Sequence, residues 1–472
     1  MSRTPIYLTG PAAVRVGWRL LRDPITAMRR NHAQFGPFAV VSHALPFLKS
    51  AKLAMLGLPL VLATGPKFND EVLSNPAVWR PVGIFPGGAR NSAARRLGAG
   101  LARMTGLRHA HYRRLLIPPL RKASVEALAD KMATLAEEEI AAWPVGEVID
   151  LWPRVCRLMH TFAIGLLFGN DKEHGYPIAQ MISDLIAREW SPGVRACPIN
   201  LPVTPYGRLV RESERLELCI LDWAGKKRGP LDSGDLLSII VNNPEEDGNP
   251  SRDATIVGMM PQTFGAAFET CQDLLIWTLV LLAQHPSTAR DLLDELQDRF
   301  ADTPPSLQGV VELPRLDAVV SESLRILPPV PMQVRVAQQD TSLAGHPFPA
   351  GSRVMLSAFL TNRLPDRYPE PDSFRPERWT SINPSPFEYL VFSAGPRSCP
   401  GFWLGLAMVK MAVATILMHF RVGLAPQAQI DYIARPALKP RGEIPAILCA
   451  QDGKFSATQI GGNILDLVQS LQ

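Results

Sequence analysis

Phe392-Ser393-Ala394-Gly395-Pro396-Arg397-Ser398-Cys399-Pro400-Gly401 decides how this chain is read, because it fixes one cysteine in a loop of small residues that opens onto a helix. A free thiol has a pKa of about 8.5, and the unpaired N–H groups of a helix N-terminus favour the thiolate, a soft metal ligand. Pro400 has no N–H and is pre-shaped for the first helical position, so the donors to the sulfur are expected from Gly401 and Phe402. A lone cysteine is more commonly a small buried hydrophobe, and taken by itself Cys399 leaves both readings open.

The rest of the chain supplies the context. Its 472 residues, 46% hydrophobic and 20% charged, can bury a large core and are neither disordered nor fibrous. No Gly/Ser linker, charge block or internal repeat argues for a domain cut. Six cysteines (Cys156, Cys197, Cys219, Cys271, Cys399, Cys449) are scattered without a CxxC pair, so a reducing, cytoplasmic setting is expected. No charged-then-apolar leader and no run of about 20 apolar residues is read, so no transmembrane segment is expected. The apolar run Leu274–Ala283 reads as a buried helix. A net charge of +5 without a concentrated basic stripe points to an acidic partner and away from nucleic acid.

Local signals place the elements. Asp23-Pro24 is an N-cap followed by a proline at the first helical position, opening a helix to about Gln34. Strands are expected at Phe38–His43 and Leu58–Ala63, separated by Ala44–Gly57. Residues 83–106, rich in Gly, Ala and Arg, read as a mobile loop, and the proline-rich stretch from 193 to 205 as a turn between helices. Asp253–Gln284 is the longest apolar-periodic stretch, with Pro261 kinking it. A helix at 313–326, strand at Val354–Ser357, a proline-rich meander from Pro365 to Pro386, a helix at 400–420 and strand over Pro440–Ala450 follow.

An aromatic residue, a glycine, a base, the cysteine and a second glycine stand at Phe392, Gly395, Arg397, Cys399 and Gly401, with Gly405 beyond. This pattern resembles the haem-ligand loop of the cytochrome P-450 superfamily, with Ser393 in place of the commoner glycine. The resemblance runs from about residue 24 to 450. It implies a mainly α fold in which a large helical domain and a smaller β-rich lobe hold haem between the long central helix and the Cys-ligand helix. The whole chain, 1–472, is then one domain, with 1–23 as an extension and 451–472 as a tail.

Further segments extend the resemblance. Glu322 and Arg325, at i and i+3, would by spacing alone be a solvated ion pair. With Arg378 in Phe374-Arg375-Pro376-Glu377-Arg378 they resemble the family's buried Glu–Arg–Arg network, which locks the meander behind the haem loop. His109 and Arg113, at i and i+4, together with Arg335 and Arg397, resemble the family's contacts to the haem propionates. Gly265-Ala266-Ala267-Phe268-Glu269-Thr270 resembles the oxygen-binding groove, with Ala267 where glycine is commoner. There Thr270 would hydrogen-bond the distal oxygen and Glu269 would relay protons. A mid-helix threonine otherwise bonds the carbonyl one turn back.

These likenesses imply haem b (iron protoporphyrin IX) ligated axially by Cys399, and a monooxygenase that inserts one atom of O2 into an apolar small-molecule substrate by hydroxylation or epoxidation. Ala266, Val330 and Met332 are expected to line the substrate pocket, beside the 83–106 and 190–206 segments. Electrons derived from NAD(P)H are expected through a ferredoxin or flavodoxin with its reductase, docking on a basic face made by Arg108, Arg114 and Lys410. Alternatives are a haem-thiolate peroxygenase, isomerase or dehydratase, a non-enzymatic haem or gas-binding protein and, last, a cysteine hydrolase, for which no histidine stands near Cys399.

Two terminal pieces lie outside the resemblance. Residues 12–22 form a basic amphipathic stretch around Val14, Trp18 and Leu21, open to a membrane surface or, more ordinarily, packed on the body. Ile464, Leu467, Val468 and Leu471 follow Gly461-Gly462 at helical spacing and are expected to dock on the chain itself or on a partner.

Overall fold

The computed structural model describes residues 5–42, 58–82, 88–89, 91–229, 235–301 and 303–471. The 44–57 segment lies outside the described residues, as does part of 83–106.

The long helix Asp253–Gln284 is apolar on nearly every side and is buried almost throughout, as a helix without a polar face must be. It packs chiefly against Leu151–Leu167 and against Phe402–His419, with Pro314–Ile326 beside it. Pro261 is absorbed inside it, as expected. Contrary to the sequence reading, Asp253–Gln284 and Phe402–His419 are both long and apolar enough to cross a membrane. Both are mostly buried by other helices, which identifies them as the core of this fold.

A smaller sheet-rich lobe flanks the helices. Its six strands run in the order Ile6–Leu8, Phe38–Val41, Leu60–Ala63, Arg353–Ser357, Met332–Ala337, Trp79–Pro81. Phe38–Val41 and Leu60–Ala63 are nearly continuous apolar runs because both faces of the sheet are covered at that point. A second sheet pairs Phe420–Leu424 with Pro445–Ala450, and the hairpin Tyr432–Ala434/Leu438–Pro440 is tied to the core where Trp277 Nε1 donates to the Leu438 carbonyl at 2.8 Å. The fold is mainly helical, as the sequence implied.

Local signals behave as their chemistry dictates. Asp23 caps the helix Pro24–Phe35 by accepting from the Thr26 amide at 3.1 Å, with Pro24 in the first turn. The described part of 83–106, by contrast, is structured. Ser92 caps a short helix, Ala93–Leu97, whose Ala93, Ala94 and Leu97 are buried, and the Ala102 amide donates to Gln262 Oε1 of the central helix at 2.9 Å. Five helical residues are too few to produce a readable period. The 193–205 stretch likewise begins with a turn of helix, Pro192–Ala196, before Thr204 caps Pro205–Lys226.

The tail docks on its own chain. Ile464, Leu467, Val468 and Leu471 are all buried, the first and last in 3-10 turns and the middle two between them, instead of in an α-helix. The Gln469 amide donates to Asp372, and Arg363 Nη2 donates to the Leu467 carbonyl at 3.0 Å. The N-terminal helix Gly10–Arg22 turns the other way: Ala13 and Val16 face the body, while Val14, Trp18 and Leu21 stand in solvent. That overturns the expectation that this stripe packs inward.

Candidate functional site

The cysteine loop is built on two left-handed residues, Ser393 at φ 57° and Gly395 at φ 68°. A Cβ on Gly395 would sit 2.5 Å from the Leu73 carbonyl, so the position requires glycine on both counts. The Cys399 amide closes the loop by donating to the Phe392 carbonyl at 2.8 Å. The helix beyond starts at Phe402 with Gly401 at its N-cap, so Pro400 stands one residue before that cap and not at the first helical position. Gly405, in the first turn, lets this helix approach the central one, where a Cβ would lie 3.4 Å from Cys271 Sγ.

Cys399 lies deep in the fold yet is accessible, the combination shown by a thiol that opens on an internal cleft. Burial raises its pKa, and the Gly401 amide and the Arg113 charge oppose that only in part. The net direction is upward, with the Gly401 amide at the helix end pulling toward the thiolate as the sequence suggested.

Three guanidiniums, Arg113, Arg335 and Arg397, and the His109 imidazole gather beside the thiol. Arg113 Nη2 donates to the Ser398 carbonyl at 2.8 Å, and Arg397 Nη2 donates to the Met104 carbonyl at 2.6 Å while its buried Nε has no partner among the described residues. Among the described residues Arg335 bonds only the Val334 carbonyl and Gln333 Oε1, an oxygen that also accepts from Ser393 Oγ at 2.9 Å. His109 and Arg335 are pushed down to about 4 and about 10, by burial first and then by neighbouring guanidiniums. Among the described residues no carboxylate balances this group. Buried like charges without a counter-ion are costly, so the cluster fits a ligand carrying two negative charges. His109, Arg113 and Arg397 line one cleft of about 460 Å³ with Pro76, Ile117 and Pro396. A soft thiol and an uncompensated cationic cluster match a haem with its two propionates.

Across from the loop, the central helix breaks its own rule of burial. Ala266 is exposed and Ala267 and Thr270 are partly so, in the middle of a helix otherwise enclosed by protein. Thr270 Oγ1 bonds the Ala266 carbonyl at a long 3.3 Å. Glu269 does not share this face. It is buried and accepts from Ser183 Oγ of the helix Lys172–Glu189, and its pKa is raised by burial, with Lys439 pulling the other way. Val330 and Met332 lie where the chain leaves Pro314–Ile326 for the sheet, partly accessible.

Glu322, Arg325 and Arg378 are brought together in the interior. Arg325 forks both Glu322 oxygens at 2.8 Å, and Arg378 Nε donates to Glu322 Oε1 at 3.0 Å. The spare donors go to meander carbonyls: Arg325 to Asn362, Pro371 and Ser373, and Arg378 to Pro369. Glu322 also receives Trp379 Nε1 at 3.0 Å and the Arg375 amide at 2.9 Å, two donors that sequence reasoning missed.

Other residues escaped notice as well. Gln333 and Ser183 carry no sequence signal. Asp273 does: it is an acid one turn after Glu269 within an apolar helix. It is fully buried, neither carboxyl oxygen has a hydrogen-bond partner among the described residues, and its pKa is raised well above the ordinary range by burial and by Glu269. The expected basic face loses a member, because Lys410 is buried and paired with Asp317 at 2.7 Å. Arg108 pairs with Glu246 at 3.6 Å, and Arg114 stays exposed.

Comparison with known proteins gives consistent matches. The family model described as Cytochrome P-450 matches residues 51–445. A cyclooctat-9-en-7-ol 5-monooxygenase of Streptomyces melanosporofaciens is 28% identical over 77% of this chain and 80% of its own. A pentalenene oxygenase of Streptomyces avermitilis is 24% identical over 90% and 93%. Among solved structures, cyanobacterial CYP120A1 with retinoic acid bound shares the fold with a TM-score of 0.78 at 21% identity, covering 94% of this chain and 99% of that one.

Proposed function

The chain belongs to the cytochrome P-450 family and is a haem-dependent monooxygenase, and from that premise we propose that it oxygenates an apolar substrate of terpenoid size. The reaction is hydroxylation or epoxidation, in the cytoplasm, with electrons from NAD(P)H delivered by a ferredoxin or flavodoxin and its reductase. The observation that carries the reading is the open Ala266–Thr270 face: methyl groups and one hydroxyl, uncovered in the middle of a buried helix. Such a wall favours a hydrocarbon surface and offers little to a charged one. The two Streptomyces relatives are named for oxidation of terpenoid compounds, which narrows the apolar class.

Cys399 would hold the iron, and His109, Arg113, Arg335 and Arg397 the propionates. Bound there, a thiolate haem supplies reductive activation of dioxygen and transfer of one oxygen atom. The protein's own part is proton handling and exclusion of water. Thr270 Oγ1, held only loosely by the Ala266 carbonyl, is free to turn its proton toward the cleft. Glu269, whose pKa burial raises, accepts from Ser183 Oγ at its carboxyl and is the proton carrier beside Thr270 in the chain. A proton given up by Glu269 is replaced through Ser183, which is only half-buried.

The test is a panel of terpenes, fatty acids and simple aromatics, each scored for a spin-state change and for a product carrying one added oxygen atom. Terpenoid turnover driven by NAD(P)H and a redox partner is expected. Turnover confined to fatty acids, or driven as well by peroxide alone, would overturn the proposal.

A further inference from the structure

The helix Gly10–Arg22 presents a surface that the monooxygenase reading leaves without a role. We propose that the face bearing Val14, Trp18 and Leu21 docks on a bilayer surface carrying anionic headgroups. The inner side of the helix is accounted for, since Ala13 and Val16 are buried against Pro24–Phe35 and Phe38–Val41. The outer side is not. Val14, Trp18 and Leu21 fall on successive turns of one face, and 53%, 59% and 69% of their surface is exposed. The strand just before adds Ile6 and Tyr7, also exposed. Apolar groups scattered singly over a surface are ordinary, but a contiguous stripe with tryptophan at its centre marks a contact face.

Charge selects the occupant. Arg15, Arg19 and Arg22 each follow one residue after a member of the stripe, so they form a parallel cationic row beside it, and the helix has no acidic residue. The Arg22 guanidinium lies 5.4 Å from the Trp18 ring centroid, which joins the two rows. A neutral hydrocarbon surface leaves the arginines unanswered, and a purely acidic one leaves the stripe wet. An interface of anionic headgroups over acyl chains satisfies both, with the indole at headgroup depth. The helix has 13 residues, too few to span a bilayer, so it lies in the interfacial plane. The inference does not depend on the identity of the substrate.

The test is sedimentation of the full haem-loaded chain with vesicles of pure phosphatidylcholine, or of phosphatidylcholine with about a third phosphatidylglycerol. The protein is expected to follow the anionic vesicles at least about tenfold more strongly, and to be released by high salt. Val14→Ser/Leu21→Ser and, separately, Arg15→Gln/Arg22→Gln are each expected to weaken that binding about tenfold with an unchanged melting temperature. Because all four side chains are exposed, these variants should fold. Absence of binding to anionic vesicles overturns the proposal, as does equal binding by both variants. Loss of self-association in the stripe variant without any vesicle binding overturns it in favour of a protein contact.

Discussion

Arg113 Nη2 donates to the Ser398 carbonyl at 2.8 Å, so the helix that carries His109 is fastened to the residue immediately before Cys399. One side chain thus both holds the loop and adds positive charge beside the thiol. Arg113→Met, which keeps the bulk and removes both functions, is expected to lower the haem-to-protein ratio of the purified chain several-fold. Exposed Arg114→Met should leave it unchanged. Full haem content in Arg113→Met would show that the cationic cluster has another purpose.

Glu322 answers two guanidiniums, an indole N–H and a backbone amide. Removing it strands Arg325 and Arg378 in the interior, at a cost of about 3–5 kcal/mol. Equilibrium unfolding of Glu322→Ala measures this directly. A loss below about 1 kcal/mol, the scale of a surface pair, would show that the network is not structural.

His160 is buried with its ring edge-on to Phe268, 4.4 Å between centroids, and its Nε2 has no partner among the described residues. Burial, and secondarily Arg157, holds its pKa down to about 4. The unfolded chain takes up this proton near pH 6.5, so stability is full above that pH and falls as pH drops from about 6.5 toward 4. In His160→Phe that part of the acid limb should flatten, as followed by urea unfolding against pH. An unchanged limb would place its origin elsewhere.

Asp273 has the opposite sign. Its folded pKa is raised, so the native state holds a proton that the unfolded chain releases near pH 4, and stability falls as pH rises from there toward the folded value. Asp273→Asn, which cannot ionise, is expected to lose that slope and to gain stability relative to the parent at alkaline pH. A steeper alkaline loss in the variant would contradict this.

Gly395→Ala places a Cβ against the Leu73 carbonyl at a backbone angle that L-residues avoid. Strain alone costs about 1–2 kcal/mol, and the contact adds to it. The expected outcome is a lower melting temperature together with weaker haem retention, because the strained residue lies in the cysteine loop. A gain in stability would mean the loop is more pliable than its geometry implies.

The boundaries of the central helix and the cap at Asp23 were legible because apolar period and capping chemistry are local properties. The loop pattern from Phe392 to Gly401 was legible in part because Gly395 answers a local backbone demand, a positive φ. What sequence missed was set by partners far along the chain. Gln333 bridges Arg335 and Ser393, Trp379 completes the Glu322 network, and Ser183 donates to Glu269 from 86 residues away. Lys410 was misjudged for a related reason: a lysine reads as surface unless its acid is known, and Asp317 lies on another helix. Pro400 was misplaced by two residues because Gly401 serves as the cap and helix ends are set by a single turn.

The central claim is that Cys399 ligates a haem iron through its sulfur. Its most direct test is the absorption spectrum of the reduced, carbon-monoxide-bound protein, recorded for the parent and for Cys399→Ser. The account predicts a strongly red-shifted Soret band in the parent that is absent from the variant. A parent Soret band at the position of a histidine-ligated haem, or a red-shifted band that survives in Cys399→Ser, would contradict it.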